Sequence, residues 1–404
     1  MFNVKKLNAI STAIYDKLPK SDYLVSSHIE DAEADAFLVR SAGCLDMPLS
    51  ERNLAFARAG AGVNNLPIDR CTEKGIVVFN TPGANANAVK ELVLCALLVA
   101  SRNVVEGVEW AKTLIGEGDQ IPKLVEKGKS QFVGPEIQGK TLGVIGLGAV
   151  GVLVANAATN VGMEVIGYDP YISIDNAWHL SDSVHKAAKM EDLLSKADYI
   201  TVHVPLMEQT RDYISSPEFG KMKDGVIILN FARGGIIRET SLFEALDSGK
   251  VAKYITDFPD ARCLMHENVI CIPHLGASTP ESEENCAVMA ANEIKHFLER
   301  GSIKNSVNMP TCLLGEPVHH RISVIHDNLP NMVSQMTSVL AKEGLNIEEM
   351  VNKSRGQIAY TVFDLNEKIS EQAMDEIKAI VGVVKVREIA ENQNKKEAHV
   401  RFFF

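Results

Sequence analysis

The chain has 404 residues, 46% of them hydrophobic and 23% charged, with a formal net charge of −11. That length suits two or three domains of roughly 100–200 residues with full apolar cores, and the acidic balance excludes nucleic acid and an anionic membrane as main partners, because both reward a basic surface. The seven cysteines, at 44, 71, 95, 263, 271, 286 and 312, include no CxxC pair, which argues against a disulfide framework or a zinc site and for a reducing, cytoplasmic setting.

The N-terminus, Met1-Phe2-Asn3-Val4-Lys5-Lys6, has no long apolar run behind it and does not read as a signal peptide. From there to about residue 310, short β-branched runs alternate with helical patterns, the rhythm of a parallel α/β sheet. Strands are expected at Ala36–Val39, Leu54–Arg58, Ile76–Phe79, Thr141–Ile145, Glu164–Tyr168, Tyr199–His203, Val226–Asn230, Lys253–Thr256 and Val269–Ile272. Several are continuous apolar runs, as strands covered on both faces should be. The most apolar stretch, Leu92–Ala100, is well short of the roughly 18 residues of a membrane span and predicts a buried helix. Pro310–His319 reads as a linker. After it come strand Arg321–Ile325, a helix from about Asn331 to Glu343, strands Ile347–Val351 and Ile358–Asp364, a helix near Ser370–Val381 and strand Val383–Ile389. That βαββαβ order predicts a small ferredoxin-like domain. The tail Glu391–Phe404 turns polar and ends in three phenylalanines, for which the pattern offers no account.

Gly146-Leu147-Gly148-Ala149-Val150-Gly151 follows the expected strand Thr141–Ile145 and opens a helix, and Asp169 ends the next strand, 18 residues beyond Gly151. A GxGxxG alone is weak, but this context is that of a dinucleotide site: glycines let the backbone approach a pyrophosphate whose charge rests on the helix N-terminus. Asp169 would accept from the adenosine ribose hydroxyls and repel a 2′-phosphate, and Pro170 and Tyr171 offer no arginine to bind one. NAD is therefore expected rather than NADP. Further along, each apolar run leads to a distinctive group: Pro205, then Arg233-Gly234-Gly235, then Asp257, then His274. In open α/β sheets ligands sit beyond the carboxyl ends of the strands, so these residues fall where chemistry is expected. Oxidising a secondary alcohol needs a base for the hydroxyl proton, and a histidine serves in both directions. A neighbouring carboxylate needs a guanidinium fork. Arg233 and His274 fit the two roles.

Taken together, Gly146-x-Gly148-x-x-Gly151, Asn230-Phe231-Ala232-Arg233-Gly234-Gly235 and Ile272-Pro273-His274-Leu275-Gly276-Ala277-Ser278-Thr279 resemble the D-isomer-specific 2-hydroxyacid dehydrogenases, and the C-terminal module looks like an ACT domain. The resemblance implies an α/β fold of two lobes with doubly wound parallel sheets, a Rossmann nucleotide domain (89–279) and a flavodoxin-like substrate domain built from both flanks (1–88 and 280–310). A linker (311–319) and the ACT domain (320–392) follow. The crossings would be the helices Ala88–Arg102 and Glu281–Arg300, with the active site in the cleft between lobes. It further implies that Gly146, Gly148, Ala149, Val150, Gly151, Asp169, Pro205, Phe231, Ala232, Arg233, Asp257, His274, Gly276 and Ala277 hold NAD.

Three more matches bear on substrate. Val39-Arg40-Ser41-Ala42 looks like the family loop whose arginine faces a distal phosphate. Arg58-Ala59-Gly60-Ala61-Gly62-Val63-Asn64 resembles the loop whose amides hold the substrate carboxylate, and Asn85-Ala86-Asn87-Ala88-Val89-Lys90-Glu91 the loop entering the interdomain helix. Arg40, Ser41, Gly60, Ala61, Gly62, Asn85 and Arg233 are thus the implied substrate contacts. They point to NAD-dependent oxidation of 3-phospho-D-glycerate to 3-phosphooxypyruvate (3-phosphohydroxypyruvate), the first step of L-serine synthesis, in a homodimer or homotetramer. One departure matters. The family glutamate that hydrogen-bonds the histidine and raises its pKa has no counterpart in Asp257-Phe258-Pro259-Asp260-Ala261-Arg262. Asp260 replaces it, Asp257 serves twice, or no carboxylate contacts His274; Asp260 is taken as the candidate.

Two rival functions stand beside this one. Another 2-hydroxyacid dehydrogenase, of the hydroxypyruvate, lactate or 2-hydroxyglutarate type, would not need Arg40. A dinucleotide-sensing co-repressor or scaffold would not need Arg233 and His274 together. In the C-terminal module, His326-Asp327-Asn328-Leu329-Pro330 and Asn346 resemble a serine-binding pattern, including the 18-residue spacing from Asn328 to Asn346. L-serine is the implied effector, with His326, Asn328 and Asn346 as ligands able to donate or accept. Asn331 stands where such loops carry glycine, and asparagine tolerates positive φ better than most residues.

Overall fold

The computed structural model describes residues 1–317 and 320–389; the tail 391–404, the end of the expected 320–392 domain and two linker residues lie outside them. Among the described residues, sixteen strands form three sheets. The first sheet comprises β1 (Phe2–Leu7), β2 (Tyr23–Ser26), β3 (Ala36–Val39), β4 (Ala55–Arg58) and β5 (Val77–Phe79), all parallel, in the order β2-β1-β3-β4-β5. The second comprises β6 (Thr141–Ile145), β7 (Glu164–Tyr168), β8 (Val184–Lys186), β9 (Tyr199–Val202), β10 (Val226–Asn230), β11 (Val251–Thr256) and β12 (Val269–Cys271). It is parallel throughout, in the order β12-β11-β10-β9-β6-β7-β8. Both are doubly wound orders, the first flavodoxin-like and the second Rossmann-like with one further strand. The third is antiparallel, β14 (Ile347–Arg355), β15 (Ile358–Leu365), β13 (His320–Asp327) and β16 (Val383–Ile389) in that spatial order, the ferredoxin-like pattern.

By compactness the chain divides into two units, Met1–Ala84 with the chain from Glu283 onward, and Asn85–Ser282. In the second unit, helices Ala86–Ser101 and Ala149–Asn160 cover one face of the seven-stranded sheet through Val93, Leu97, Val152 and Val154 against Leu142 and Val144. Leu193, Phe219, Phe243 and Leu246 cover the other. Burial on both faces is why these strands read as apolar runs. In the first unit, Ala287, Ala290 and Ile294 pack on one side of the five-stranded sheet, while Phe37 and Phe56 stack at 4.4 Å on the other.

Three strands escape the sequence pattern: β1, β2 and β8. β1 lies inside its sheet between β2 and β3, yet its sequence carries two consecutive lysines. Lys5 reaches Asp31 at 2.5 Å and Lys6 lies 5.8 Å from the Tyr15 ring, so the long stems run over the sheet and place their charges at its rim. Asn331 takes the left-handed conformation, φ 69°, before helix Met332–Lys342.

The inner strands β13 and β15 of the four-stranded sheet are buried on both faces, while edge strand β14 is largely exposed. The sheet's helices cover Ile322, Val324, Phe363 and Leu365, and its other face, with Ile325, Tyr360 and Val362, joins the core of the five-stranded sheet. Side chains from that second face donate to backbone carbonyls: Tyr360 Oη to Gly301 at 2.9 Å, Lys385 Nζ to Asn53 at 2.8 Å and Arg387 Nη2 to Phe297 at 2.6 Å. The segment expected to be a linker is tied down as well, since Ile303 and Cys312 bridge and Leu314 N–H donates to Ser302 Oγ. Among the described residues no helix is long and apolar enough to cross a membrane.

Candidate functional site

The glycine turn leaves β6 where its backbone must bend sharply. Gly146 has φ 93°, and a Cβ there would lie 2.8 Å from the His203 backbone; one on Gly151 would lie 1.9 Å from the Gly146 carbonyl oxygen. Neither position accepts another residue. Gly148 stands at the N-cap of helix Ala149–Asn160, so the first N–H groups of Ala149, Val150 and Gly151 have no carbonyl four residues back within the helix and suit a pyrophosphate. Asp169, at the end of β7, accepts from Leu147 N–H and Tyr171 N–H at 2.8 Å each, which holds the turn and the carboxylate to one another.

Beyond these strand ends opens a cleft of about 790 Å³ lined by Gly146, Gly148, Asp169, Tyr171, Pro205, Met207 and Tyr213 among others. His203 also lines it; burial holds its pKa down to about 4, and Nε2 lies 2.9 Å from Thr201 Oγ1. The imidazole is therefore neutral around pH 7. Tyr213 is pushed up to about 12, chiefly by burial and then by Tyr168 and Asp169. His203, Tyr213 and Thr210, whose hydroxyl donates to Pro205 O at 2.5 Å, are site residues the sequence pattern did not single out. Their positions just beyond β9 are the one signal that could have found them.

Arg233, Asp257 and His274 leave the C-terminal ends of the neighbouring strands β10, β11 and β12. Asn230 shapes the first of these turns, donating from Nδ2 to Arg233 O at 2.9 Å and accepting from Ala232 N–H at 3.1 Å. Phe231 is buried beneath it. The exposed Arg233 donates from Nη1 to Ala232 O at 2.7 Å. Phe258 brings the other two together: its ring lies 5.7 Å from the Arg233 guanidinium carbon and 4.6 Å from the His274 ring. Nothing in the sequence marked Phe258 as functional.

The two acidic candidates differ sharply. Asp260 Oδ1 accepts from Arg262 N–H at 2.9 Å and Cys263 N–H at 2.8 Å, capping the short turn Cys263–Met265. Asp257 is 1% exposed. Its Oδ2 accepts from Gly276 N–H at 3.2 Å, and its Oδ1 is buried with no hydrogen-bond partner. Burial pushes its carboxyl above the ordinary range, against the pull of His274 and then Arg233. Asp257 is thus the buried carboxylate at this sheet edge, while Asp260 is engaged by its own loop. Ala277 follows half-buried.

The expected substrate residues fall in both units. Arg40 leaves β3 and its guanidinium pairs with Glu283 at 2.6 Å, both partly exposed. Ser41 is exposed. Gly60 N–H donates to Arg58 O at 2.9 Å, and Ala61 O accepts from Asn80 Nδ2 at 2.7 Å. Gly62 is half-buried in the same loop. Asn85, in the other unit, precedes helix Ala86–Ser101 and its carbonyl accepts from Val89 N–H.

The effector candidates are placed differently from what the sequence pattern implied. His326 is 2% exposed, with Nδ1 2.7 Å from Asp327 O and Nε2 2.8 Å from Thr361 Oγ1. Burial lowers its pKa. Both ring nitrogens are engaged inside the module, so the imidazole has no edge to offer a ligand. Asn328 Nδ2 donates to Gly356 O at 3.1 Å, and Asn346 is held through its N–H by Asn366 Oδ1 at 2.8 Å.

Fold and site together define a Rossmann-type dinucleotide-binding protein with an imidazole, a guanidinium and a buried carboxylate gathered at adjacent strand ends. The family description that matches residues 94–276 is "D-isomer specific 2-hydroxyacid dehydrogenase, NAD binding domain". Residues 94–276 are thus similar to the NAD-binding domain of the D-isomer-specific 2-hydroxyacid dehydrogenases. The chain is 38% identical over 333 residues to D-3-phosphoglycerate dehydrogenase of Methanocaldococcus jannaschii, covering 77% of this chain and 61% of the relative. The enzyme of the same name from Bacillus subtilis is 32% identical over 338 residues, with 78% and 61% covered. This chain therefore spans about three-fifths of those relatives' length. Among solved structures, NAD+-bound 3-phosphoglycerate dehydrogenase of Entamoeba histolytica superposes with a TM-score of 0.59 at 28% identity, covering 76% of this chain and 98% of that one. D-mandelate dehydrogenase of Rhodotorula graminis, at 21% identity and TM-score 0.64, covers 78% and 99% and shares the fold.

Proposed function

We propose that this chain oxidises 3-phospho-D-glycerate to 3-phosphooxypyruvate with NAD, the first step of L-serine synthesis. The observation that carries the reading is the gathering of Arg233, Asp257 and His274 at three neighbouring strand ends. The likeness to relatives called D-3-phosphoglycerate dehydrogenase supports the choice of substrate. The glycine turn, the ribose carboxylate Asp169 and the cleft they line fit NAD, which when bound supplies the hydride acceptor. Ala149, Val150, Pro205, Phe231, Ala232, Gly276 and Ala277 complete its contacts. His274 takes the proton of the substrate 2-hydroxyl and returns it in the reverse direction. Arg233 holds the substrate carboxylate through its fork. Asp257, rather than Asp260, supplies the negative charge that keeps the imidazolium in place once it forms. Arg40 and Ser41 face the distal phosphate, and the Gly60-Ala61-Gly62 backbone and Asn85 hold the carboxylate end.

The reading is tested by a panel of 3-phospho-D-glycerate, D-glycerate, D-lactate and 2-hydroxyglutarate followed at the nicotinamide absorbance. Turnover that favours the phosphorylated acid supports it; preference for another acid moves the assignment within the family. No turnover of any leaves a dinucleotide-sensing scaffold. The seven free cysteines accord with a reducing cytoplasm. The C-terminal module serves control, with L-serine held by Asn328 and Asn346 between modules of a homodimer or homotetramer, and with His326 buttressing the loop from inside. Serine that inhibits wild type but not Asn346→Ala supports this, and a coupling of about 1–3 kcal/mol would shift affinity about 5–150-fold. A rate unchanged by millimolar serine removes it.

A further inference from the structure

The order β2-β1-β3-β4-β5 reverses between β1 and β3, and in such sheets the loops leaving those two neighbours part to opposite faces and open a crevice. From β3 comes Arg40–Ala42. From β1 comes Asn8, which none of the roles above employs. Its φ of 105° is the largest among the described non-glycine residues with positive φ. A non-glycine residue persists there only where its surroundings over-determine it.

What holds Asn8 is the arginine loop itself. Its Oδ1 accepts from Ser41 N–H at 3.1 Å and from Ala42 N–H at 2.8 Å. The loop's carbonyls are bound from the opposite side, Arg40 O by Arg58 Nε at 3.1 Å and Ala42 O by Asn65 Nδ2 at 2.7 Å. Backbone N–H and C=O groups of three consecutive residues are thus fixed by side chains. The guanidinium of Arg40 remains at the surface, paired only in part with the exposed Glu283. Two successive N–H groups converging on one oxygen form the kind of concavity that binds anions. Here a neutral amide oxygen occupies it, which leaves the charged end of Arg40 to meet an anion.

We propose that Asn8 is a positioning residue: it locks the Arg40–Ala42 loop so that Arg40 discriminates phosphorylated from unphosphorylated hydroxy acids. The inference rests on the functional reading above. A pre-set loop loses less freedom when its ligand binds, so the benefit falls on affinity for the group that Arg40 meets.

Asn8→Gly separates the possibilities, because glycine relieves the positive φ and removes the acceptor at once. With loss of two hydrogen bonds, KM for 3-phospho-D-glycerate should rise about 5–30-fold. The kcat, the KM for NAD and the KM for D-glycerate should each stay within about twofold, and Tm should not fall. An unchanged KM for the phosphorylated acid overturns the proposal. So does an equal rise for both acids, or a rise accompanied by a lower Tm, since each marks a general structural role. Arg40→Ala distinguishes the two levels of argument. If wild type shows no preference for the phosphorylated acid, the functional reading fails and this proposal with it; if wild type shows the preference and Arg40→Ala keeps it, the functional reading stands and the proposal fails with the role given to Arg40. If Arg40→Ala loses the preference and Asn8→Gly keeps it, the inference about Asn8 fails alone.

Discussion

The seven-stranded and four-stranded sheets carry the same kinds of polar residue and use them in opposite ways. At the C-terminal edge of the seven-stranded sheet, His274 and Arg233 are exposed and Asp257 keeps a buried oxygen without a partner. In the four-stranded sheet, His326 has both ring nitrogens engaged. Arg321 makes a bidentate pair with Asp364 at 2.6 Å and donates to Arg300 O and Gly315 O. One sheet leaves hydrogen-bonding capacity for a ligand; the other consumes it in folding and docking. A histidine or arginine in a sequence carries no mark of which fate awaits it.

The difference can be broken most decisively at the two histidines. His274→Asn should lower kcat by about 10²–10⁴, the worth of positioned proton transfer, while leaving NADH binding and Tm nearly intact. His326→Ala should instead destabilise the chain by about 1–3 kcal/mol, because the buried Thr361 hydroxyl loses a partner. Steady-state kinetics and thermal melts on both proteins check this. A His274 variant with most of its kcat, or a His326 variant with its full Tm, would erase the contrast.

Next in size is the buried ion pair. Arg321 is 2% exposed, and Asp364→Asn leaves that guanidinium without its counter-charge. Breaking such a pair from one side costs about 3–5 kcal/mol, read as a lower denaturant midpoint at unchanged m-value. A midpoint equal to wild type would mean that the pair is solvated and the face loosely docked.

A smaller effect is expected at Asp169, where selectivity rather than stability is at stake. Asp169→Ala should weaken NADH and reduce the bias against NADPH, since the repulsive carboxylate is gone. The ratio of kcat/KM for the two cofactors measures it. A wild type that already uses both equally would contradict the role given to this strand end.

The smallest effect concerns pH. Glu293 is 6% exposed, accepts from Asn305 Nδ2 at 2.7 Å, and has its pKa raised from 4.5 to about 7, chiefly by burial. A folded pKa above the unfolded one means that folding takes up a proton. Its contribution is fully present below about pH 4.5 and is lost as pH rises through about 7. Glu293→Gln, which keeps the acceptor, should flatten that part of the profile and raise Tm at pH 8. At roughly 1.4 kcal/mol per pKa unit, the gain is a few kcal/mol at most. Melts at pH 5 and pH 8 giving the same wild-type to variant gap would show that Glu293 titrates like a surface group.

Much of this molecule is written locally. The strands of the seven-stranded sheet are legible because burial on both faces demands continuous apolar runs. The glycine turn is legible because positions 146 and 151 have no room for a side chain. Arg233 and His274 follow, since parallel topology brings every strand's C-terminal end to one edge. What only the tertiary structure decided is which polar atoms remain available. Asp257 and Asp260 are three residues apart and look alike in sequence, yet Asp260 gives an oxygen to the backbone of its own turn while Asp257 is buried and accepts from Gly276 N–H, two residues past His274. β1 hid behind its lysines because their stems cover apolar surface while their charges reach the rim. His326 matched a ligand-binding pattern and proved internal, and Asn8 matched none and holds the arginine loop. Apolar burial depends on periodicity along the chain, whereas a hydrogen bond depends on which groups from distant segments arrive within about 3 Å of each other.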